Sequence, residues 1–414
     1  MKKTMMNTIS KKWIGIALVN LSIVAFLGLT LRSKIIFSIP FIDYKHVLHA
    51  HSHYAFAGWV TLAISCLMIL ELLPEKARSH TKYKWILGAM TIFSVGMLVS
   101  FPLQGYGLFS ILFSTLFIFT TYFFAFFFIK DLISSNGHIV TKLLTIPSLI
   151  YLVLSSVGPF TLAYILITKS TNILLYRDSI YTYLHLQYNG FFTLAIIALF
   201  FNRLRHLLPE ISDKKMVVFA HILNATVLPS MFLSYLWHYP NTIFRVLAII
   251  GSSALVMCTI HFIITLLSYK VGLAKTSPIV KRISAVAMLA FVSKMFMQSL
   301  TIFPFLGELV FTNRPMIIGF LHLVLLTFVT LYLLAHFLDA NYLPVNKRSV
   351  SAVYIFATAV VINELILLLQ GFGIMFKTNS NIYAQLLWLV SIGLFSGALL
   401  IVRSYYYRKE ELNV

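Results

Sequence analysis

The chain has 414 residues, of which 59% are hydrophobic and only 11% charged, and its mean hydropathy is +0.90. Soluble domains carry about 25% charged residues, so this composition excludes a soluble globular protein and places the chain in a lipid bilayer. The net charge of +20 does not call for nucleic acid, because no soluble basic domain is present and the cytoplasmic loops of membrane proteins collect Lys and Arg.

A membrane helix needs about 20 predominantly apolar residues. Runs of this kind predict twelve spans, at 13–31, 46–73, 84–103, 107–129, 143–168, 179–201, 216–237, 242–268, 283–303, 315–338, 350–372 and 382–405. The first is too long for a signal peptide, and "LRSKIIF" after it has no small-residue cleavage site. The third and fourth are parted only by "LQGYG". Most of the 32 basic residues fall in the loops that are cytoplasmic if the N-terminus is inside, which predicts an even span count and two cytoplasmic termini. The expected fold is all-α, a single polytopic domain over 1–414 in the cytoplasmic membrane. No repeat, soluble domain or Gly/Ser linker stands out. Cys66 and Cys258 lie inside apolar runs, which speaks against a disulfide framework or a thiolate metal site.

The second span opens with "KHVLHAHSHYAFAGWV", which holds His46, His49, His51 and His53. His46, His49 and His53 are spaced i, i+3 and i+7 and share a helix face, whereas His51 points elsewhere. His185 lies early in the sixth span, His238 closes the seventh in "LWHYP", and His322 opens the tenth in "FLHLVL". With alternating spans, four helices bring histidine to the same side of the membrane. A lone intramembrane histidine is often only a hydrogen-bonding group between helices. Several at one depth point to a bound metal or haem, since neutral imidazole is the commonest metal ligand and facing helices supply haem axial ligands. His80, His138 and His206 fall in or beside the opposite loops and read as solvated. Lys294 and Gln298 lie one turn apart in the ninth span, and Glu364 follows Asn363 in the eleventh. Proton supply is one reading of these three, and hydrogen bonding between helices is the other.

Twelve spans with histidines on the second, sixth, seventh and tenth resemble subunit I of the haem-copper oxidase and nitric oxide reductase superfamily. The resemblance implies a haem-copper oxidase subunit I-like bundle with a low-spin b-type haem between the second and tenth spans. "HSHYAFAGW" is similar to the family's His-x₄-Gly-Trp pattern and makes His53 the ligand, or His51 or His49 if the register differs. "FLHLVL" resembles the His-x-His segment, with His322 matching the low-spin ligand and Phe320 standing where a high-spin haem takes its histidine. "HLQYNG" and "LWHYP" resemble the segments that bind copper or non-haem iron. His185 and His238 match ligands there, while Asn189 replaces an acidic ligand and Tyr239 follows His238 in place of a second histidine. The second haem or metal centre therefore lacks ligands.

The implied role is electron transfer, or binding or reduction of O₂ or NO. An oxidoreductase of the terminal oxidase or nitric oxide reductase type would take electrons from a cytochrome or quinol, beside other respiratory-chain subunits. Arg314 and Lys377 are candidates to meet haem propionates. Two alternatives stand beside this reading. One is a haem- and copper-containing membrane protein of nitric oxide stress defence, a family with an early His-x-His like "HAH" and "HSH". The other is a transition-metal transporter using the same histidines.

Overall fold

In a computed structural model the described residues are 8–209, 212–236, 241–270, 272, 275–376 and 380–411. Twelve helices among them are long and apolar enough to cross a membrane. They are α1 (Lys12–Ile36), α2 (Tyr44–Leu72), α3 (Thr81–Gln104), α4 (Leu108–Ile133), α5 (Ile139–Thr168) and α6 (Ile173–Leu207). The rest are α7 (Lys214–Tyr235), α8 (Thr242–Ser268), α9 (Pro278–Leu300), α10 (Arg314–Asp339), α11 (Lys347–Ile374) and α12 (Ile382–Tyr407). The chain is an all-α multi-pass membrane protein. Each predicted run corresponds to one of these helices. "LQGYG" does separate α3 from α4, where Gly105 takes a positive φ of 59° that a side chain would resist.

Neighbours in sequence pack side by side, and α12 packs against α1 to close the ring. Three helices lie inside it. The most apolar windows of α2 and α6 are 83% and 94% buried, against 28% for α5 and α12. The third inner helix, α10, contacts both α2 and α6. Each of the three is interrupted at mid-length by a π-helical segment, at Ala55–Thr61, Leu186–Phe192 and Leu323–Thr330.

These segments expose a repeat that the sequence alone hides. "HYAFAGWVT" (53–61), "HLQYNGFFT" (185–193) and "HLVLLTFVT" (322–330) each begin on a histidine and end on a threonine followed by leucine. The three inner helices are thus the second members of three successive four-helix units. A π turn displaces main-chain carbonyls from the regular α pattern, so each needs a new donor. Thr193 Oγ1 donates to the Tyr188 carbonyl at 2.5 Å, and Thr330 Oγ1 to that of Leu325 at 2.8 Å. In α2 the donor comes from outside: Asn20 Nδ2 reaches the Gly58 carbonyl at 2.6 Å, and its Oδ1 accepts from Tyr54 at 2.7 Å. Trp59 Nε1 donates to Thr330 Oγ1 at 2.8 Å and pins α2 to α10 at this level.

At the end away from the histidines, ionisable groups tie the inner helices together. Glu71 of α2 accepts from His336 of α10 at 2.7 Å, and Arg203 of α6 pairs with Asp339 of α10 at 2.6 Å.

Candidate functional site

Because α2, α6 and α10 run in the same direction, their repeated histidines lie at one depth. The residue two positions earlier is His51 in α2, Tyr183 in α6 and Phe320 in α10. Each of these leans across a different inner interface. His51 lies close enough to His322 of α10 for the two to interact electrostatically. The Tyr183 ring is 5.9 Å from Phe56 of α2, and the Phe320 ring 5.7 Å from Tyr188 of α6. Three chemically different interfaces between the inner helices follow from one repeat.

The α2–α10 chamber holds the imidazole pair. His51 Nδ1 lies 3.1 Å from the Val24 carbonyl of α1, and His322 Nδ1 lies 2.8 Å from the Ile318 carbonyl one turn back. A carbonyl only accepts, so each Nδ1 carries the proton and each Nε2 keeps its lone pair. That is the state a metal-binding imidazole needs, with its second nitrogen anchored by a hydrogen bond. Both rings are enclosed by the bundle yet retain accessible surface. The α10 segment Arg314–His322 contains no fully buried residue although its helix is an inner one. Gly28 of α1 lies under His51, where a Cβ would come within 3.3 Å of the imidazole. Arg32 of α1 is within electrostatic reach of both rings. Among the described residues the α2–α10 interface thus offers two Nε2 lone pairs without a hydrogen-bond partner and one cation nearby, a donor set that would suit the two axial positions of a haem.

His53 and His49 face the other way, toward α3. His53 stacks on Phe101 with centroids 4.4 Å apart, and its Nε2 meets the Tyr106 hydroxyl at 3.0 Å. His49 lies edge-on to Tyr106 at 4.6 Å, and His46 Nδ1 approaches the Pro102 carbonyl at 3.3 Å. The shared face read from the i, i+3, i+7 spacing is therefore the α3 face, and the residue off that face, His51, is the one turned to α10.

The α6 chamber, toward α7 and α9, is filled by its own residues. His185 Nε2 donates to the Val227 carbonyl of α7 at 2.7 Å, while its Nδ1 accepts from Asn189 Nδ2 at 3.2 Å. Asn189 Nδ2 also donates to Gln298 Oε1 at 3.1 Å, and Asn189 Oδ1 accepts from Lys294 Nζ at 2.6 Å. Thr193 Oγ1 accepts a second Lys294 hydrogen at 3.0 Å. Both nitrogens of His185 are thus engaged, and Phe320 offers no lone pair, so this residue set does not fit a second haem or a copper or non-haem iron ion. His238 and Lys377 lie outside the described residues. Among the described residues no group of three or more His, Cys, Asp or Glu side chains is arranged to hold a metal ion.

Of the three candidates for a proton path, the fold joins two. Lys294 and Gln298 meet through Asn189, whereas Glu364 takes a hydrogen bond from its chain neighbour Asn363 at 3.2 Å and lies beside Thr327 of α10. Arg314 stands 5.7 Å from the Tyr44 ring. A cavity of about 360 Å³ opens at the far end, between Phe200, Leu204, Met288, Val292 and Tyr332, with His336 in its lining and none of His51, His185 or His322. Sequence reading passes over Arg32, and it takes Asn189 only as a lost ligand rather than as a hydrogen-bonding centre. Arg32 lies just past the end of the first apolar run with nothing around it to mark it, and the packing of α1 against α2 brings it to the histidines.

No protein-family model matches the chain, and no curated protein matches it.

Proposed function

We propose that the protein is a membrane haem protein that carries single electrons, with one b-type haem held between α2 and α10 by Nε2 of His51 and His322. The observation that carries this reading is the matched state of the two imidazoles, each with Nδ1 bonded to a main-chain carbonyl and Nε2 free. Of the candidates on α2, His51 suits the role better than His53, whose ring is turned to α3. When bound, the haem supplies reversible one-electron chemistry at iron. The chain's own residues supply the rest. Val24 and Ile318 fix the ring orientations and strengthen the imidazoles as bases. Arg32 gives the acidic edge of the haem a charge-assisted partner, and the apolar walls limit the access of water.

Twelve spans with histidines at one depth on α2, α6 and α10 support kinship in fold with haem-copper oxidase subunit I. The membrane would then be the cytoplasmic one, with both termini on the cytoplasmic side and a quinol or cytochrome as donor. The crowded α6 chamber favours electron transfer over reduction of O₂ or NO.

The test is the visible spectrum of the protein purified from haem-sufficient cells, oxidised and reduced. Sharp bands of a six-coordinate b-type haem are expected, lost in His51→Ala and in His322→Ala and kept in His53→Ala. A colourless protein, or bands that survive both losses, overturns the reading.

A further inference from the structure

The α6 chamber has a feature that the haem reading does not use. Lys294 is fully buried at mid-bundle, and among the described residues no carboxylate pairs with it. An ammonium is not left in such a place without partners. Here they are the Asn189 carbonyl oxygen at 2.6 Å, the Thr193 hydroxyl at 3.0 Å, and the ring faces of Tyr188 and Phe291 at 5.6 and 5.8 Å. Both ring distances lie within the roughly 6 Å over which a cation is drawn to an aromatic face.

The network is ordered outward from this one group. Because Asn189 Oδ1 accepts from Lys294, its amide nitrogen must turn toward His185 and Gln298, and it donates to both. That donation fills the Nδ1 lone pair of His185 and forces its proton onto Nε2, which the Val227 carbonyl takes up. The repeat makes His185 the counterpart of His322, whose Nε2 is free. Lys294 is the difference between them.

We propose that Lys294 is the resident cation of the α6–α7–α9 chamber. Its ammonium orients Asn189, whose amide nitrogen takes the place on His185 Nδ1 that a metal ion would need, so that this interface is closed to transition metals. A divalent ion entering would have to displace Asn189 from His185 and accept a like charge beside it. The inference stands apart from the haem reading, because it concerns a different interface and is read by metal content.

The experiment is metal stoichiometry on the full-length protein in detergent. Wild type, His185→Ala, Lys294→Ala and the double variant are equilibrated with Zn²⁺ or Cu²⁺, desalted and counted by mass spectrometry of the elements. Wild type and His185→Ala are expected to retain equal amounts. Lys294→Ala is expected to gain about one equivalent, which the double variant loses. Wild type that holds one equivalent more than His185→Ala overturns the proposal, whether or not any Lys294 variant folds. A folded Lys294→Ala that gains no metal overturns it as well. Haem spectra of the same samples report on the α2–α10 chamber separately.

Discussion

Across the α2–α10 interface, His51 and His322 each spend one nitrogen on a main-chain carbonyl, and among the described residues the other has no hydrogen-bond partner. Across the interface of α6 with α7 and α9, His185 has both nitrogens bonded and an ammonium held by the same asparagine. His185 and His322 are equivalent positions of one repeat, on helices with the same π turn. The difference teaches that hydrogen-bond partners decide which lone pair a buried imidazole can offer: a carbonyl on one nitrogen presents the other, whereas an amide added on the far side withdraws it.

The largest effects should come from breaking the open side. His51→Ala or His322→Ala is expected to abolish the six-coordinate haem spectrum, while His185→Ala leaves it intact, as measured by reduced-minus-oxidised difference spectra. If His185→Ala removes the bands instead, the contrast between the two interfaces is reversed.

Next comes the packing that shuts the α6 side. Gly158 of α5 lies against α6 so closely that a Cβ would clash with the Ser179 carbonyl oxygen and meet Tyr183 Cβ at 2.7 Å. Neither neighbour is the free end of a flexible chain, so Gly158→Ala should destabilise the bundle by about 1–3 kcal/mol. Thermal unfolding in detergent measures it, and an unchanged midpoint would mean that α5 and α6 separate easily.

The seam between α2 and α10 is probed by Trp59→Phe. The indole N–H to Thr330 hydroxyl bond is buried, and its loss should cost about 1 kcal/mol. The same variant sharpens the comparison if it also lowers haem retention, because the bond lies one π segment below the histidine pair.

The smallest expected effect lies outside both chambers. His138, in the loop before α5, pairs with Asp213 at 2.6 Å. Burial first, and then the Arg205 guanidinium, hold its pKa below the usual histidine value, outweighing the raising effect of Asp213. The folded state therefore prefers neutral His138. The stability it lends is present above about pH 6.5, the unfolded value, and is lost as pH falls from there through the lower folded value. Thermal midpoints between pH 8 and pH 5 should fall more steeply for wild type than for His138→Gln, with the haem spectrum unchanged.

Much of the fold was legible in the chain, because a bilayer admits few solutions: apolar runs of spanning length become helices that satisfy their own main chain. The twelve spans and the break at "LQGYG" follow from that. The histidines were legible as a group at one depth. Their roles were not. Helical spacing separates His51 from the face of His46, His49 and His53, but it gives no sign of which face looks inward, and the His-x₄-Gly-Trp resemblance points to His53. The repeat escaped because few positions recur across its three copies, and its structural mark is the π turn, which no residue type announces. Lys294 was visible as a buried charge near Gln298, yet its partners Asn189 and Thr193 are more than a hundred positions away.

By itself the sequence determined that this is an all-helical membrane protein with twelve spans and a level of histidines, since hydrophobic length and polar position act locally along the chain. Only the tertiary structure decided which imidazoles face one another. That choice rests on ring closure, on the extra residue in each π turn, and on carbonyls such as Val24 and Val227 that arrive from other helices. The opening "HAHSHYAFAGWV" is one continuous motif in the chain. In the fold it is divided, with His51 turned to α10 and His53 to α3.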